Sequence, residues 1–107
     1  MLDDATEEPE TGWANVATHD DAPAVIDTLL RLDPEATYTK TELSNEAGVP
    51  LKTLYLDGML DHLVEMGFLE KHREGGEEVL FSVDAGTAVF EAAAAFDEAI
   101  ADRLADE

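Results

Sequence analysis

The sequence predicts a mainly α-helical domain carrying one small β-hairpin, and three observations predict it. Residues 39–48, TKTELSNEAG, read as a short capped helix closed by a glycine. The segment after it places Leu56, Leu60, Leu63 and Met66 at steps of four, three and three, which is one apolar face of a helix. Beyond that, Phe68-Leu69-Glu70-Lys71-His72-Arg73 and Glu78-Val79-Leu80-Phe81-Ser82-Val83 flank Glu74-Gly75-Gly76-Glu77. A Gly-Gly pair supplies the positive φ angles that a two-residue hairpin turn demands.

Each element has its own local justification. Residues 1–12, MLDDATEEPETG, have the low hydrophobicity and high charge of a disordered tail. The predicted acidic tail extends over residues 1–18, with Trp13 expected to dock on the core, the alternative being a partner subunit. Asp20, Asp21 and Pro23 mark a helix start, proline being at home in the first turn. That helix is predicted to run to about Leu32 with Val25, Ile26, Leu29 and Leu30 turned mostly inward, and Asp33-Pro34 stops it. In Thr39-Lys40-Thr41-Glu42, the threonine caps the backbone N–H three residues on while Glu42 reaches back, a capping box. Gly48 suits the left-handed end of a helix, and Pro50 forbids simple continuation. The next helix is predicted from about Thr53 to Gly67. Gly58 inside it costs about 1 kcal/mol relative to alanine, which points to a steric reason for its presence. After the hairpin, Asp84 offers an N-cap to a last helix in which Val89, Ala92, Ala93, Phe96, Ile100 and Leu104 recur at helical steps.

A short helix, a glycine-containing turn and a second helix make a helix-turn-helix, whose second helix can lie in a DNA major groove. Running straight into a hairpin, residues 22–83 resemble the winged helix-turn-helix family of transcription regulators. ELSNEAGVP at residues 42–50 and MGFLEK at residues 66–71 are the most specific part. The distance from Gly48 to Gly67 is about two residues longer than the family's commonest spacing. The resemblance implies a winged helix-turn-helix domain at residues 19–83, with the hairpin as a wing touching the DNA backbone or minor groove. It also implies a short strand at Thr37 and Tyr38 that pairs with the wing. In dimeric members of the family an added C-terminal helix commonly dimerises. Residues 84–107 are therefore the expected dimerisation helix, through Val89, Ala93, Phe96, Ile100 and Leu104. The alternative is that this helix folds back on its own domain.

The charge balance runs against a DNA-binding role at first sight: 26 acidic residues face six basic ones, for a net charge of −20. Its distribution is informative. Residues 1–36 carry Arg31 and residues 84–107 carry Arg103, whereas Lys40, Lys52, Lys71 and Arg73 all fall within the helix-turn-helix and hairpin. Acid-rich, lysine-poor and alanine-rich composition resembles that of proteins from halophilic archaea, whose cytoplasm holds molar salt. There the Debye length shrinks to about 3 Å, so an acidic protein can approach DNA, while counterion release fades as a driving force. Zero cysteines excludes disulfide and thiolate chemistry and fits a reducing cytoplasm. No membrane span or signal peptide is read from the chain.

The candidate DNA-binding residues are Lys40, Lys52, Thr53, Tyr55, Lys71, His72 and Arg73. Lys52, Thr53 and Tyr55 sit at the start of the second helix, where this motif contacts base edges and phosphates. For Tyr55 the competing reading is packing under the wing. Lys71 and Arg73 alternate with His72 along a strand, so the two cations share a face. The competing reading there is an ordinary charged hairpin paired with Glu70, Glu74, Glu77 and Glu78. Asp57 and Asp61 have the acceptor chemistry for cytosine N4, or are plain acidic surface. His19, His62 and His72 lack ligand spacing, so no metal is expected, and no Ser/His/Asp constellation or phosphate-cradling glycine loop is present. Neither a cofactor nor an enzyme is expected. The sequence thus reads as a DNA-binding transcriptional regulator acting on double-stranded DNA as a homodimer. The alternatives are a protein–protein interaction module that binds a partner such as transcription machinery, and an acidic DNA mimic.

Overall fold

The computed structural model describes residues 11–56, 58–73 and 78–105. The predicted tail over residues 1–10, Asp57 and the Glu74-Gly75-Gly76-Glu77 turn lie outside the described residues, as does the side chain of Leu56.

Part of the predicted tail is helical. Gly12–Ala17 forms a helix, α1, because the Thr11 side chain caps it, accepting from the Ala14 N–H at 3.0 Å. The charge-rich composition that disfavours folding stops short of Trp13-Ala14-Asn15-Val16, which has apolar side chains to pack. Helix α2, Ala22–Leu29, carries Pro23 in its first turn and buries Ala22, Val25 and Leu29. It ends before Leu32, which sits half-buried in the following turn.

Helix α3, Lys40–Ala47, has the capping box its sequence spells out. Glu42 N–H donates to Thr39 Oγ1 at 3.1 Å, and Thr39 N–H donates to Glu42 Oε1 at 2.9 Å. Gly48 closes the helix at φ +70°. The single long helix predicted next is instead two, α4 at Leu51–Leu56 and α5 at Met59–Met66. Between them Gly58 takes φ +69°, a left-handed conformation that costs an L-residue roughly 1–2 kcal/mol. A Cβ added at Gly58 would meet nothing within 4 Å. The glycine therefore serves backbone conformation, and the expected steric reason is replaced by a conformational one.

Strands β1, Leu69–His72, and β2, Leu80–Val83, pair antiparallel with Leu69 opposite Val83 and Lys71 opposite Phe81. On the other edge of β2, Tyr38 exchanges hydrogen bonds with Phe81 at 2.7 and 2.8 Å, so the short third strand is a single bridge. Helix α6 spans Ala88–Ala105 and starts later than the expected Asp84 cap. Asp84 N–H is committed to the Phe68 carbonyl at 3.0 Å. Thr87 takes the capping position, accepting from Phe90 N–H at 3.1 Å while its hydroxyl donates to the Gly67 carbonyl at 2.7 Å.

The core lies where α2, α3, α4 and α5 meet the inner face of the hairpin. Leu29, Leu43, Leu54, Leu63 and Leu69 are fully buried there, each worth about 1.5–3 kcal/mol by removal from water. No residue of α6 is buried. That helix docks through Ala93 and through Phe90, whose ring meets Phe68 edge-on at 6.5 Å. Arg31 adds a bridge at the α2–α6 junction, pairing with Asp27 and lying 3.8 Å from Asp97. Trp13 is not in the core: it stays 66% exposed and packs on Phe96 of α6 at 5.3 Å. No described helix is long and apolar enough to cross a membrane.

Candidate functional site

Two concavities carry most of the residues the sequence singles out. The first is a cleft of about 310 Å³ between α3, the α4–α5 break and the hairpin. Lys40 enters it from the first turn of α3, Tyr55 from α4, and Lys71 and Arg73 from β1 and the residue after it. The strand period puts Lys71 on that side, because Leu69 and Lys71 share the inner face, and Arg73 follows just past the strand end. The floor is core: Leu54, Leu60 and Phe81. Half of the chain's six cations therefore converge on one cleft.

Lys40 and Lys71 are held in the cleft. The Lys40 ammonium lies over the Tyr55 ring, 5.5 Å from its centroid, within the range of a cation–π contact. Its position at the start of α3 opposes the helix dipole, which favours anions there, so helix energetics do not account for it. Tyr55 is half-exposed in this contact rather than packed under the hairpin. Lys71 Nζ donates to Asp61 Oδ1 at 3.0 Å, and among the described residues lining the cleft Asp61 is the one acid.

The remaining sequence candidates stand apart. Lys52 is exposed and Thr53 half-buried on α4, and neither lines the cleft. His72 turns to the other face of the hairpin, where its Nε2 lies 2.8 Å from Ser82 Oγ. Asp61 could have been weighed as a partner for Lys71 only by knowing that α5 lies beside β1, a contact ten residues apart in sequence but set by the tertiary fold.

The second concavity is an apolar groove of about 790 Å³ between α1, α2 and α6. Val89, Ala93, Phe96 and Ile100 line it, facing Trp13, Ile26, Leu30 and Phe68. Phe96 is 51% exposed, and Val89, Ile100 and Leu104 are also largely uncovered. On the helical wheel Glu91, Glu98 and Asp102 project away from this stripe. Phe90, which the sequence reading passed over, is the aromatic that holds α6 to the domain; its place beside the apolar stripe was the available signal.

The histidines form no ligand set. His62 Nε2 bonds Asn15 Oδ1 at 3.1 Å, tying α1 to α5, and His19 stands edge-on to His62 at 5.3 Å. Among the described residues no group of three or more metal-ligating side chains gathers. No family model matches the chain, and neither a curated protein nor a solved structure does.

Proposed function

We propose that this chain is a sequence-specific, DNA-binding transcriptional regulator of the winged helix-turn-helix type, working in the cytoplasm as a homodimer. The observation that carries the reading is the cleft, where Lys40, Lys71 and Arg73 from separate elements converge on a chain of net charge −20. Scattered surface cations would neutralise neighbouring acids; clustered ones make a local anion-facing surface. The element order supports it as well. A capped helix, a glycine turn and α4–α5 lead directly into the hairpin, and Tyr38 bridges the hairpin's far edge.

In this reading α4 presents Lys52, Thr53 and the Tyr55 hydroxyl to DNA, while Lys71 and Arg73 approach the backbone from the hairpin side. Phosphate contacts fix register and base-edge contacts supply sequence preference. The exposed stripe of α6 pairs with its twin, spacing the two reading surfaces on the duplex. With few cations, affinity rests on hydrogen bonds and shape more than on counterion release.

Selection from a randomised duplex library in molar KCl tests this, followed by fluorescence anisotropy on the enriched sequences. Enrichment of a palindromic motif bound at that salt is the expected result. Absence of enrichment by folded protein would remove the DNA reading. The apolar groove favours a second reading, a protein–protein interaction module whose partner covers the α1–α6 face. Under it the groove variants lose partner binding and the cleft variants lose nothing.

A further inference from the structure

We propose that the cleft between α3, α5 and β1 is a seat for a single phosphate group, and that the Asp61 carboxylate is its resident stand-in. This deepens the DNA reading and rests on it for the phosphate's source.

The cleft suits that chemistry in charge and geometry. Lys71 already donates to a carboxylate oxygen at 3.0 Å, so its ammonium is aimed into the cleft and poised for an oxyanion. Its side chain is only 31% exposed, whereas Asp61 is 70% exposed and free to swing out. Lys40 and Arg73 line the same cleft, and neither has an ion-pair partner among the described residues. Two lysines and an arginine lining one small cleft suit an oxyanion of higher charge than a carboxylate. A volume of about 310 Å³ has room for one such group with its ester links. The apolar floor of Leu54 and Phe81 lowers the local dielectric and strengthens each of these contacts.

The exchange is an ion swap with no covalent change. Phosphate enters, the Lys71–Asp61 pair opens, and Asp61 turns to solvent. Asp61 is thus a positioning and tuning residue: it keeps Lys71 oriented in the empty cleft and competes with the incoming group. Its removal should tighten phosphate binding, whereas a merely structural ion pair would leave binding unchanged or weaken it.

The test is a two-dimensional NMR titration of the full chain and its Asp61→Asn variant in molar KCl, first with potassium phosphate and then with a short duplex. Circular dichroism confirms that the exposed substitution leaves the fold intact. The expected result is movement of the Tyr55, Gly58 and Lys71 amides by both ligands, and competition between them. Asp61→Asn should bind each about two- to fivefold more tightly, the scale of one exposed ion pair removed. If phosphate moves the cleft and the variant tightens it while the duplex does neither, the seat stands for a free phosphorylated molecule and the DNA reading falls. If the duplex binds while phosphate leaves the cleft unmoved, or the variant binds no tighter, the seat is overturned and the DNA reading stands. Silence from both ligands overturns both.

Discussion

The cleft and the groove are opposites built on one small core. The cleft gathers polar groups from α3, α4, α5 and β1 over a fully buried floor, so its geometry is fixed by the same contacts that hold the domain together. The groove is walled by α1 and α6, of which neither buries a single residue among those described. A six-residue helix and an unburied helix of 18 residues have little stability of their own, since helices of this length draw most of it from tertiary packing. The comparison teaches that the cationic cleft stands on buried core, while the apolar groove is left open to solvent.

Breaking the groove should have the largest effect. Replacing Phe96 and Ile100 together by aspartate removes two exposed apolar side chains from the proposed self-contact. That loss of at least about 3 kcal/mol weakens association roughly 100-fold, read by analytical ultracentrifugation. A wild-type chain that sediments as a monomer at high concentration would already decide against the twin-helix assignment.

The cleft comes next. Lys71→Ala combined with Arg73→Ala should weaken duplex binding by about tenfold or more, the worth of charge-assisted hydrogen bonds. Both side chains are outside the core, so the chemical denaturation midpoint should not move. A shifted midpoint with unchanged affinity would make these cations structural.

Gly58→Ala probes whether the cleft needs the α4–α5 break. A left-handed alanine costs roughly 1–2 kcal/mol, measurable as a lower midpoint in guanidinium titration. Increased stability would mean instead that α4 and α5 prefer to fuse into one helix, as the apolar spacing alone suggests.

The smallest effect is expected at Lys52, exposed and outside the cleft. Lys52→Ala should cost less than about fivefold in duplex affinity, the range of an exposed ion pair. A loss equal to that of the paired hairpin variant would shift the reading surface from the cleft to α4.

Much of the fold was legible because it is written in local chemistry. The Thr39–Glu42 capping box, the left-handed Gly48 and the two hairpin strands follow from short-range backbone and side-chain preferences, and the structure has each. The misreadings share a cause. An apolar stripe running through Leu60 and Leu63 reports a buried face but not whether the backbone beneath it is continuous, so the break at Gly58 was missed. The Asp84 cap was misassigned because the helix begins only at Ala88, where Thr87 caps Phe90 N–H and is itself anchored to the Gly67 carbonyl from across the chain.

The sequence by itself determined that the domain is mainly helical, that a hairpin follows a capped helix and a glycine turn, and that Lys71 and Arg73 fall on one side of that hairpin. These depend on periods of 3.6 and two residues and on a few turn residues, all local in the chain. Only the tertiary structure decided which candidates meet. It brought Lys40 and Tyr55 to the two hairpin cations, turned His72 away, and set Asp61 against Lys71. It also left the α6 stripe open while Phe90 did the docking. Proximity between distant segments is fixed by how the whole core packs, and no short stretch of sequence carries that sum.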